Sequence, residues 1–397
     1  MEINKPHLFI EISEEHFIFF VVIYDQTLNF EIIETYKIKS EGISNGQISD
    51  IESSSKIIKN SLKIIEKKIK FTFKTVTIIN DEENFKCINV SGFKKLSGSQ
   101  ITNENISYIL NNMKKLVTSS NSKYALIHLF NSRFILDKAD LNKLPIGLYG
   151  EFYNHNLTFF LLSKNNINNL KLTLNKCHLE IDRIILKSFA SGINILKKYI
   201  NEKKFLLINI GYENSQISFF DNSSFIFLEK FKFGSNIIMR DISKLCSLKL
   251  ETVKDIFSEI DFTNQKNNEY LPKKYFQNTI FRKISISHLN KIVSARVEEI
   301  LNLILKKNIN LRNMLIRDQK KFIVFEDMQQ FNNLYQQFKN NFSDVDNLEF
   351  LKKTSDDYLN SCKASADLIG KGWEKEAIPV IQTKKSVLSR IFTSIFD

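Results

Sequence analysis

The sequence predicts an α/β fold that is built from two related halves. The first half opens with two apolar runs, residues 8–13 and 17–22, and the second half opens with the apolar runs on either side of Gly211 in residues 205–220. Apolar runs of this length between turn residues are typical of buried strands, and two of them joined by a short loop are typical of a hairpin. Because a hairpin with a glycine at its tip can turn backbone N–H groups toward a phosphate, the repetition predicts two lobes that face one cleft.

The composition is that of a globular protein with an excess of positive charge. The chain has 397 residues, of which 43% are hydrophobic and 25% are charged, and its net charge is +12. This length is enough for two or more domains. A basic charge favours anionic partners, but the lysines are spread along the chain without a basic run, as an AT-rich coding bias would produce. We therefore predict no nucleic-acid partner.

The cysteines and the start of the chain predict a cytoplasmic protein. The cysteines are too far apart for a zinc site, and their unpaired spacing suits a reducing compartment; they are Cys87, Cys177, Cys246 and Cys362. Glu11, Glu14 and Glu15 interrupt any signal-peptide core. No window reaches the run of about 18 apolar residues that spans a membrane. The histidines are scattered in apolar or helical contexts, so we predict no metal site and no catalytic residue.

Apolar periodicity predicts the elements of the first half. A three-strand meander, a loop with two glycines, a helix and a strand precede a stretch with its own α+β pattern, after which come a helix, a strand and a helix. In order, these segments are residues 8–38, 40–52, 57–69, 74–79, 81–165, 166–176, 178–184 and 188–199. The stretch 81–165 therefore reads as an insertion.

The second half is predicted to continue from the hairpin at 205–220 with further strands and helices. A strand and a turn are followed by three helices, a buried strand, another helix, a linker and a short amphipathic helix. In order, these segments are residues 226–231, 233–236, 237–245, 251–258, 287–307, 322–325, 329–338, 371–383 and 384–397.

Several segments, in the right order along nearly the whole chain, carry a family resemblance. They are residues 42–52 (GISNGQISDIE), 126–137 followed by 145–150 (PIGLYG), 187–191, 295–300 and 366–370. Together they resemble the FtsA family of bacterial cell-division proteins, which belongs to the actin/Hsp70-like ATPases. The resemblance implies an actin-like (ribonuclease-H-like) two-lobed fold, in which residues 81–165 are the inserted small α+β (SHS2-type) subdomain that distinguishes this family from actin.

The resemblance also implies domain boundaries. The first lobe is interrupted by the insertion, the second lobe is divided into a core and a smaller subdomain, and the linker and the amphipathic helix close the chain. The first lobe takes residues 1–80 and 166–200, the insertion 81–165, the second-lobe core 201–250 and 321–370, the smaller subdomain 251–320, the linker 371–383 and the terminal helix 384–397.

The departures from the family pattern fall in the phosphate loops. Where the family has D-I-G-T the chain has residues 11–14 (EISE), and where the family has D-I-G-G-G-T-T-D it has residues 209–216 (NIGYENSQ). A phosphate loop needs glycines so that bare backbone N–H groups can approach the anion. Glu14 and Glu213 would repel phosphates. The positions that match nucleotide contacts of the family are Glu11, Ser13, Glu14, Asn209, Gly211, Ser215, Gln216, Gly234, Ser235, Glu251, Lys254 and Glu326.

These changes predict that binding of ATP and Mg²⁺ is weak or lost. Glu11 can still reach a hydrated Mg²⁺, but the uncharged Asn209 and Gln216 are poorer partners for the ion. The alternative is that a shifted geometry still holds ATP through Glu251, Lys254 and the remaining backbone groups. The chain is accordingly predicted to be an adaptor with at most weak ATPase activity.

The terminal helix is predicted to bind a membrane surface. At 100° per residue its apolar side chains fill one half of the helix wheel, and basic residues flank them. The predicted membrane-binding residues are Lys384, Lys385, Val387, Leu388, Arg390, Ile391, Phe392, Ile395 and Phe396. A helix docked on the protein's own core or on a partner groove is the alternative. The family carries a membrane-targeting helix at this position.

The resemblance implies a peripheral protein of the division septum, on the cytoplasmic face of the inner membrane. Its implied partners are the C-terminal tail of the tubulin-like FtsZ, further copies of the chain in an actin-like polymer, anionic lipids and later division proteins. Arg296 and Glu299 are the implied contacts for the FtsZ tail; a solvated ion pair is the alternative reading. Two other functions stay open, a nucleotide-regulated actin-like ATPase and a membrane-anchored scaffold of a pilus or shape system that does not use FtsZ.

Overall fold

The computed structural model describes residues 3–81, 83–260, 269–276, 280–313, 319–325, 332–342, 345–351 and 357–379. The chain forms two compact units. Unit 1 comprises Met1–Lys203, Phe220–Phe227 and Tyr358–Asp397, and unit 2 comprises Lys204–Phe219 and Leu228–Asp357.

The described residues form both strands and helices. The strands are β1 Pro6–Ile12, β2 His16–Tyr24, β3 Phe30–Lys39, β4 Ile43–Ser44, β5 Gln47–Ile48, β6 Thr75–Asn80, β7 Phe85–Lys95, β8 Tyr124–Leu136, β9 Ala139–Leu141, β10 Phe152–Ser163, β11 Glu180–Leu186, β12 Phe205–Ile210, β13 Ser215–Asp221, β14 Ser224–Phe231, β15 Lys320–Phe325, β16 Leu348–Leu351 and β17 Glu376–Pro379. The helices are α1 Ile51–Ile69, α2 Asn103–Ser120, α3 Lys164–Asn175, α4 Lys187–Lys198, α5 Asn236–Leu245, α6 Leu250–Glu259, α7 Ile286–Leu301, α8 Ile309–Asn313, α9 Asn332–Asn341 and α10 Asn360–Lys371. No helix of the described residues is long and apolar enough to cross a membrane.

The first sheet of unit 1 has the strand order β11-β6-β1-β2-β3. Its β1, β2 and β3 form the antiparallel meander that the apolar runs predict, and β6 and β11 run parallel to β1. Large side chains of β1 and β2 are fully buried, among them Phe9, Phe19 and Phe20. Helix α10 packs against this sheet and against α4, and the Tyr24 hydroxyl fixes it there by donating to the carbonyl oxygen of Ala366 at 2.8 Å.

The second sheet of unit 1 is antiparallel and has the order β17-β8-β10-β7, with β9 paired to β8. Helix α2 packs against β7 and β8. The helix begins with a capping box, in which Thr102 and Asn105 exchange side-chain and backbone hydrogen bonds. Gly92 on β7 allows the close approach of α2, because a Cβ at that position would overlap the side chain of Ile109. Apart from Ala377 on β17, the buried core residues of this sheet lie within the stretch 81–165. That this stretch is a separate subdomain stays a prediction.

The structure differs from the predicted domain boundaries in two places near the end of the chain. Residues 371–383 were expected to be a linker, but Lys371 ends α10 and β17 pairs with β8 at the edge of the second sheet. The stretch 321–370 was expected to lie in the second lobe, but the described residues from Tyr358 to Pro379 belong to unit 1. The physical reason in both cases is burial, since Cys362, Ala366 and Ala377 are covered by unit 1 side chains.

The sheet of unit 2 has the order β14-β13-β12-β15-β16. The strand β15 runs parallel to β12 and to β16, and the hairpin tip Phe220–Phe227 belongs to unit 1. Helices α5, α6, α7 and α9 pack against one another. Parallel strands end at the same edge of a sheet, and ligands of open α/β sheets bind beyond that edge; β12 leads there into the loop that contains Gly211.

Candidate functional site: the strand-end loops

In unit 1 the turn between β1 and β2 is closed by its own hydrogen bonds. Ser13 donates from Oγ to the carbonyl oxygen of His16 at 2.8 Å and accepts from the backbone N–H of His16 at 3.1 Å. The backbone N–H of Ser13 donates to the same carbonyl at 3.2 Å. Ser40 donates from Oγ to the carbonyl of Glu14 and from its N–H to the carbonyl of Glu15 at 3.0 Å. Ser13, which closes the turn, thus occupies the position of the glycine in the D-I-G-T motif of the family that the chain resembles.

The Glu11 side chain is buried and its charge is compensated within unit 1. Its Oε1 lies 3.1 Å from Nζ of Lys187, and its Oε2 accepts a hydrogen bond from Ser361. Nζ of Lys187 also lies 3.2 Å from Oδ2 of Asp81. Glu11 is therefore the partner of an ammonium group, whereas Glu14 in the same turn is exposed.

In unit 2 the loop after β12 packs backbone against backbone on the turn before α5. The N–H of Gly211 donates to the carbonyl of Asn214, the N–H of Ser235 to the carbonyl of Gly211 and the N–H of Asn236 to the carbonyl of Tyr212, each at 2.9 Å. A Cβ on Gly234 would overlap the carbonyl oxygens of Gly211 and Tyr212. A helix N-terminus is an anion site when its N–H groups point outward; at α5 the first of them are bonded to loop carbonyls.

Glu213 places its carboxylate at the first turn of α5. Its Oε2 accepts a hydrogen bond from the Asn236 side-chain amide and lies 3.3 Å from a terminal guanidinium nitrogen of Arg240. The positive end of the helix dipole favours a negative charge at this point. The half-exposed Glu213 carboxylate thus occupies the N-terminus of α5, where an external anion would otherwise bind.

The remaining predicted nucleotide positions of unit 2 are mostly buried in its sheet or stand on its helices. Asn209, Ser215, Gln216 and Ser235 are buried, and the Oγ of Ser215 has no hydrogen-bond partner among the described residues. Glu251 is exposed in the first turn of α6. On the same helix, Lys254 holds its Nζ 5.3 Å from the centre of the Tyr212 ring, a cation–π contact with the loop. Glu326 lies outside the described residues.

Sequence reasoning missed the partners that the loops find within the chain. Lys187, Ser361 and Arg240 are distant in sequence from the loop residues that they contact, so no local spacing signals them. Lys187 lies in a segment that resembles the family, but the sequence of that segment does not indicate which carboxylates the lysine contacts.

The predicted contact for the FtsZ tail lies on α7. Arg296 donates from Nε to Oδ2 of Asp241 at 2.5 Å and from a terminal nitrogen to Oε2 of Glu299 at 2.6 Å. The ion pair of Arg296 with Glu299, which was the alternative to an FtsZ contact, is therefore present, and Asp241 on α5 is a further partner. The FtsZ contact itself stays a prediction. The predicted membrane-binding residues 384–397 lie outside the described residues.

Unit 1 contains a second buried charged group, formed by His128, Arg183 and Glu376. Oε1 of Glu376 lies 2.6 Å from Nδ1 of His128, and Oε2 accepts from Arg183 at 2.5 Å. The backbone N–H of Leu186 donates to Nε2 of His128 at 3.1 Å, so Nδ1 carries the proton and donates to Glu376. No group of three or more His, Cys, Asp or Glu side chains that could hold a metal occurs in the part of the chain that the structure describes.

Comparison with curated proteins finds cell-division proteins. The chain is 22% identical over 311 residues to the cell division protein FtsA of Buchnera aphidicola subsp. Schizaphis graminum, a match that covers 75% of this chain and 73% of that protein. It is 21% identical over 269 residues to FtsA of Neisseria meningitidis serogroup B, covering 67% of this chain and 64% of that protein. No model of a protein family matches the chain.

Comparison with solved structures finds actin-like proteins. The PilM–PilN type IV pilus biogenesis complex matches with a TM-score of 0.58 at 10% identity, over 93% of this chain and 98% of that one. MreB 5 of Spiroplasma citri bound to AMPPNP matches with a TM-score of 0.50 at 10% identity, over 92% and 96% of the two chains. The chain therefore has the actin-like fold that its sequence predicts, and in sequence it is similar to cell division protein FtsA.

Proposed function

We propose that this protein is a cell-division adaptor that tethers FtsZ filaments to the cytoplasmic face of the inner membrane and assembles with itself as an actin-like polymer. The observation that carries the proposal is the similarity to FtsA of Buchnera aphidicola over 75% of the chain. Self-assembly follows from the family resemblance, which implies an actin-like polymer for a chain with this fold. The protein acts at the septum as a peripheral membrane protein.

The adaptor role does not depend on a bound nucleotide. The first turn is closed by Ser13, and the second loop is bonded to the start of α5 and carries the Glu213 carboxylate. A phosphate would have to displace these bonds and approach that carboxylate. Binding of ATP and Mg²⁺ is therefore weak or absent, and the protein has at most weak ATPase activity.

The FtsZ tail binds on α7, where Arg296 offers a partly exposed guanidinium group. The side chain is 31% exposed and Glu299 is 53% exposed, so an incoming carboxylate can compete with Glu299 for the guanidinium. The pairing with Asp241 holds the Arg296 side chain in position for that exchange.

The membrane is bound by the terminal helix, residues 384–397. Lys384, Lys385 and Arg390 each contribute on the order of 1 kcal/mol at an anionic surface. A single short helix binds reversibly, so the polymer adds avidity. Later division proteins then attach to a filament that is already at the membrane.

A scaffold of a pilus system is the second candidate, because the PilM–PilN complex shares the fold at a TM-score of 0.58. Titration of the purified protein with a fluorescent FtsZ C-terminal peptide separates the two. Saturable binding that Arg296→Glu weakens at least tenfold, while Arg312→Glu on α8 leaves it unchanged, supports the adaptor. No binding at a millimolar concentration of the peptide would remove FtsZ from the proposal and favour the scaffold.

A further inference from the structure

Three charged residues of unit 1 meet at one edge of its first sheet. Strands β11, β6 and β1 are neighbours and run parallel, so their carboxyl ends lie together. In the register of the sheet Ile12 and Leu186 both pair with Asn80. Glu11 therefore precedes this level on β1, while Asp81 and Lys187 directly follow it on β6 and β11.

The ammonium group of Lys187 lies between the two carboxylates. Its Nζ is 3.1 Å from Oε1 of Glu11 and 3.2 Å from Oδ2 of Asp81. The side chains are largely withdrawn from water, with exposed fractions of 17% for Lys187, 3% for Glu11 and 23% for Asp81. Ser361 donates to the other oxygen of Glu11 and fixes the orientation of that carboxylate. Two carboxylates in such a setting repel each other unless a cation lies between them.

We infer that Lys187 is the built-in cation of this carboxylate pair, and that Glu11 and Asp81 become a divalent-cation site when the charge of Lys187 is removed. A pair of carboxylates with water completing the shell is how proteins commonly hold Mg²⁺, and Ca²⁺ also takes oxygen ligands. The covalently attached ammonium holds the place that a diffusible ion would take. The edge of the first sheet is therefore stable without Mg²⁺, whether or not the protein binds FtsZ.

The ammonium group and a divalent ion differ in one testable respect. The ammonium cannot be removed by a chelator, whereas a bound ion stabilises the folded state in proportion to the logarithm of its concentration. The wild-type protein should unfold at the same temperature in EDTA and in Mg²⁺ or Ca²⁺. A chain that lacks the ammonium should respond to the ions.

The experiment compares Lys187→Gln, Lys187→Arg and Lys197→Gln with the wild type by thermal unfolding in EDTA, 10 mM MgCl₂ and 10 mM CaCl₂. Lys197 is the matched control, because it stands on the same helix and pairs with the single carboxylate of Asp367. Lys187→Gln should unfold at a lower temperature in EDTA and regain on the order of 3 °C with a divalent ion at about ten times its Kd. The wild type, Lys187→Arg and Lys197→Gln should show no ion-dependent shift, and Glu11→Gln added to Lys187→Gln should abolish the response.

An equal response of Lys187→Gln and Lys197→Gln to the ions would overturn the inference. If Lys187→Gln does not fold, Mn²⁺ binding to the wild type, measured by electron paramagnetic resonance, decides the matter. Absence of a saturable Mn²⁺ site supports Lys187 as the resident cation. A Mn²⁺ site that Glu11→Gln removes would show that the carboxylates bind a metal beside Lys187 and would refute it.

Discussion

Oε1 of Glu376 lies 2.6 Å from Nδ1 of His128, although 248 positions separate the two residues in the chain. Burial alone would raise the pKa of Glu376, but Arg183 and His128 outweigh burial and hold that pKa at about 2. Burial lowers the pKa of His128 against the opposing effect of Glu376. The neutral imidazole and the Arg183–Glu376 ion pair therefore hold β17 in the second sheet of unit 1.

Replacing Glu376 with Gln should destabilise unit 1 by about 3–5 kcal/mol, because removing one member of a buried ion pair leaves the charge of Arg183 uncompensated. Urea unfolding followed by circular dichroism measures the change. Glu374→Gln is the control, since Glu374 is exposed two positions earlier and its loss should cost less than about 0.5 kcal/mol. Equal midpoints for the two variants would show that the buried cluster contributes nothing.

Buried His155 should make the protein sensitive to mild acid. Burial, together with Lys375, lowers the pKa of His155 to about 3, whereas an unfolded histidine titrates near 6.5. Between pH 6.5 and about 3 only the unfolded state takes up a proton at this histidine, so the free energy of unfolding falls as the pH decreases. Above pH 6.5 the histidine is neutral in both states and this contribution to stability is fully present. Between pH 7 and pH 5 this single residue accounts for a loss of about 2 kcal/mol.

The variant His155→Gln tests that dependence, because glutamine cannot take up the proton. Denaturant unfolding at pH 7 and pH 5 should show a loss on acidification that is smaller by about 2 kcal/mol than in the wild type. His288→Gln, an exposed position on α7, should leave the loss unchanged. The same pH dependence in all three proteins would contradict the assignment to His155.

Gly234→Ala should open the contact between the loop after β12 and the start of α5. The added methyl would overlap the backbone carbonyls of Gly211 and Tyr212, which cannot turn aside as a side chain could. The expected cost is about 3 kcal/mol, with faster hydrogen exchange at Ser235 and Asn236. Gly98→Ala is the comparison, because there only the left-handed backbone is strained and the cost should be about 1 kcal/mol. An unchanged exchange rate at Ser235 would disprove the close packing.

Calorimetry should detect no saturable binding of Mg-ATP at millimolar concentration to protein that lacks residues 384–397. The turn closed by Ser13 and the carboxylate of Glu213 both oppose a phosphate. Saturable binding that Lys254→Ala weakens would instead favour the alternative in which Glu251 and Lys254 hold the nucleotide. Saturable binding of either kind would make a nucleotide-regulated polymer the leading function.

Phe392→Glu should abolish cosedimentation of the full chain with anionic liposomes, because it places a charge in the apolar half of the predicted terminal helix. Thr393→Gln lies in the polar half and should sediment as the wild type does. Deletion of residues 384–397 should have the same effect as Phe392→Glu. A deleted chain that still pelleted with the vesicles would assign membrane binding to another surface.

The sequence predicted those features that depend on local sequence patterns. The apolar runs predicted the meander of β1, β2 and β3, and the family resemblance predicted the actin-like fold. The sequence did not predict β17, because a segment of four residues is too short to show an apolar periodicity. The strand is held by the distant partners His128 and Arg183. For the same reason the counter-ion of Glu11 was found only when the parallel strands brought Lys187 beside it.

If residues 384–397 bind a membrane as proposed, the pairing of β17 with β8 limits how far unit 1 can stand from it. β17 ends at Pro379, whose register partner is His128, and the predicted membrane helix begins at Lys384. The five steps from Pro379 to Lys384 can span at most about 18 Å when fully extended. If that helix lies on lipid, the β17–β8 edge stays within about 18 Å of the bilayer surface, which is less than the width of a small domain.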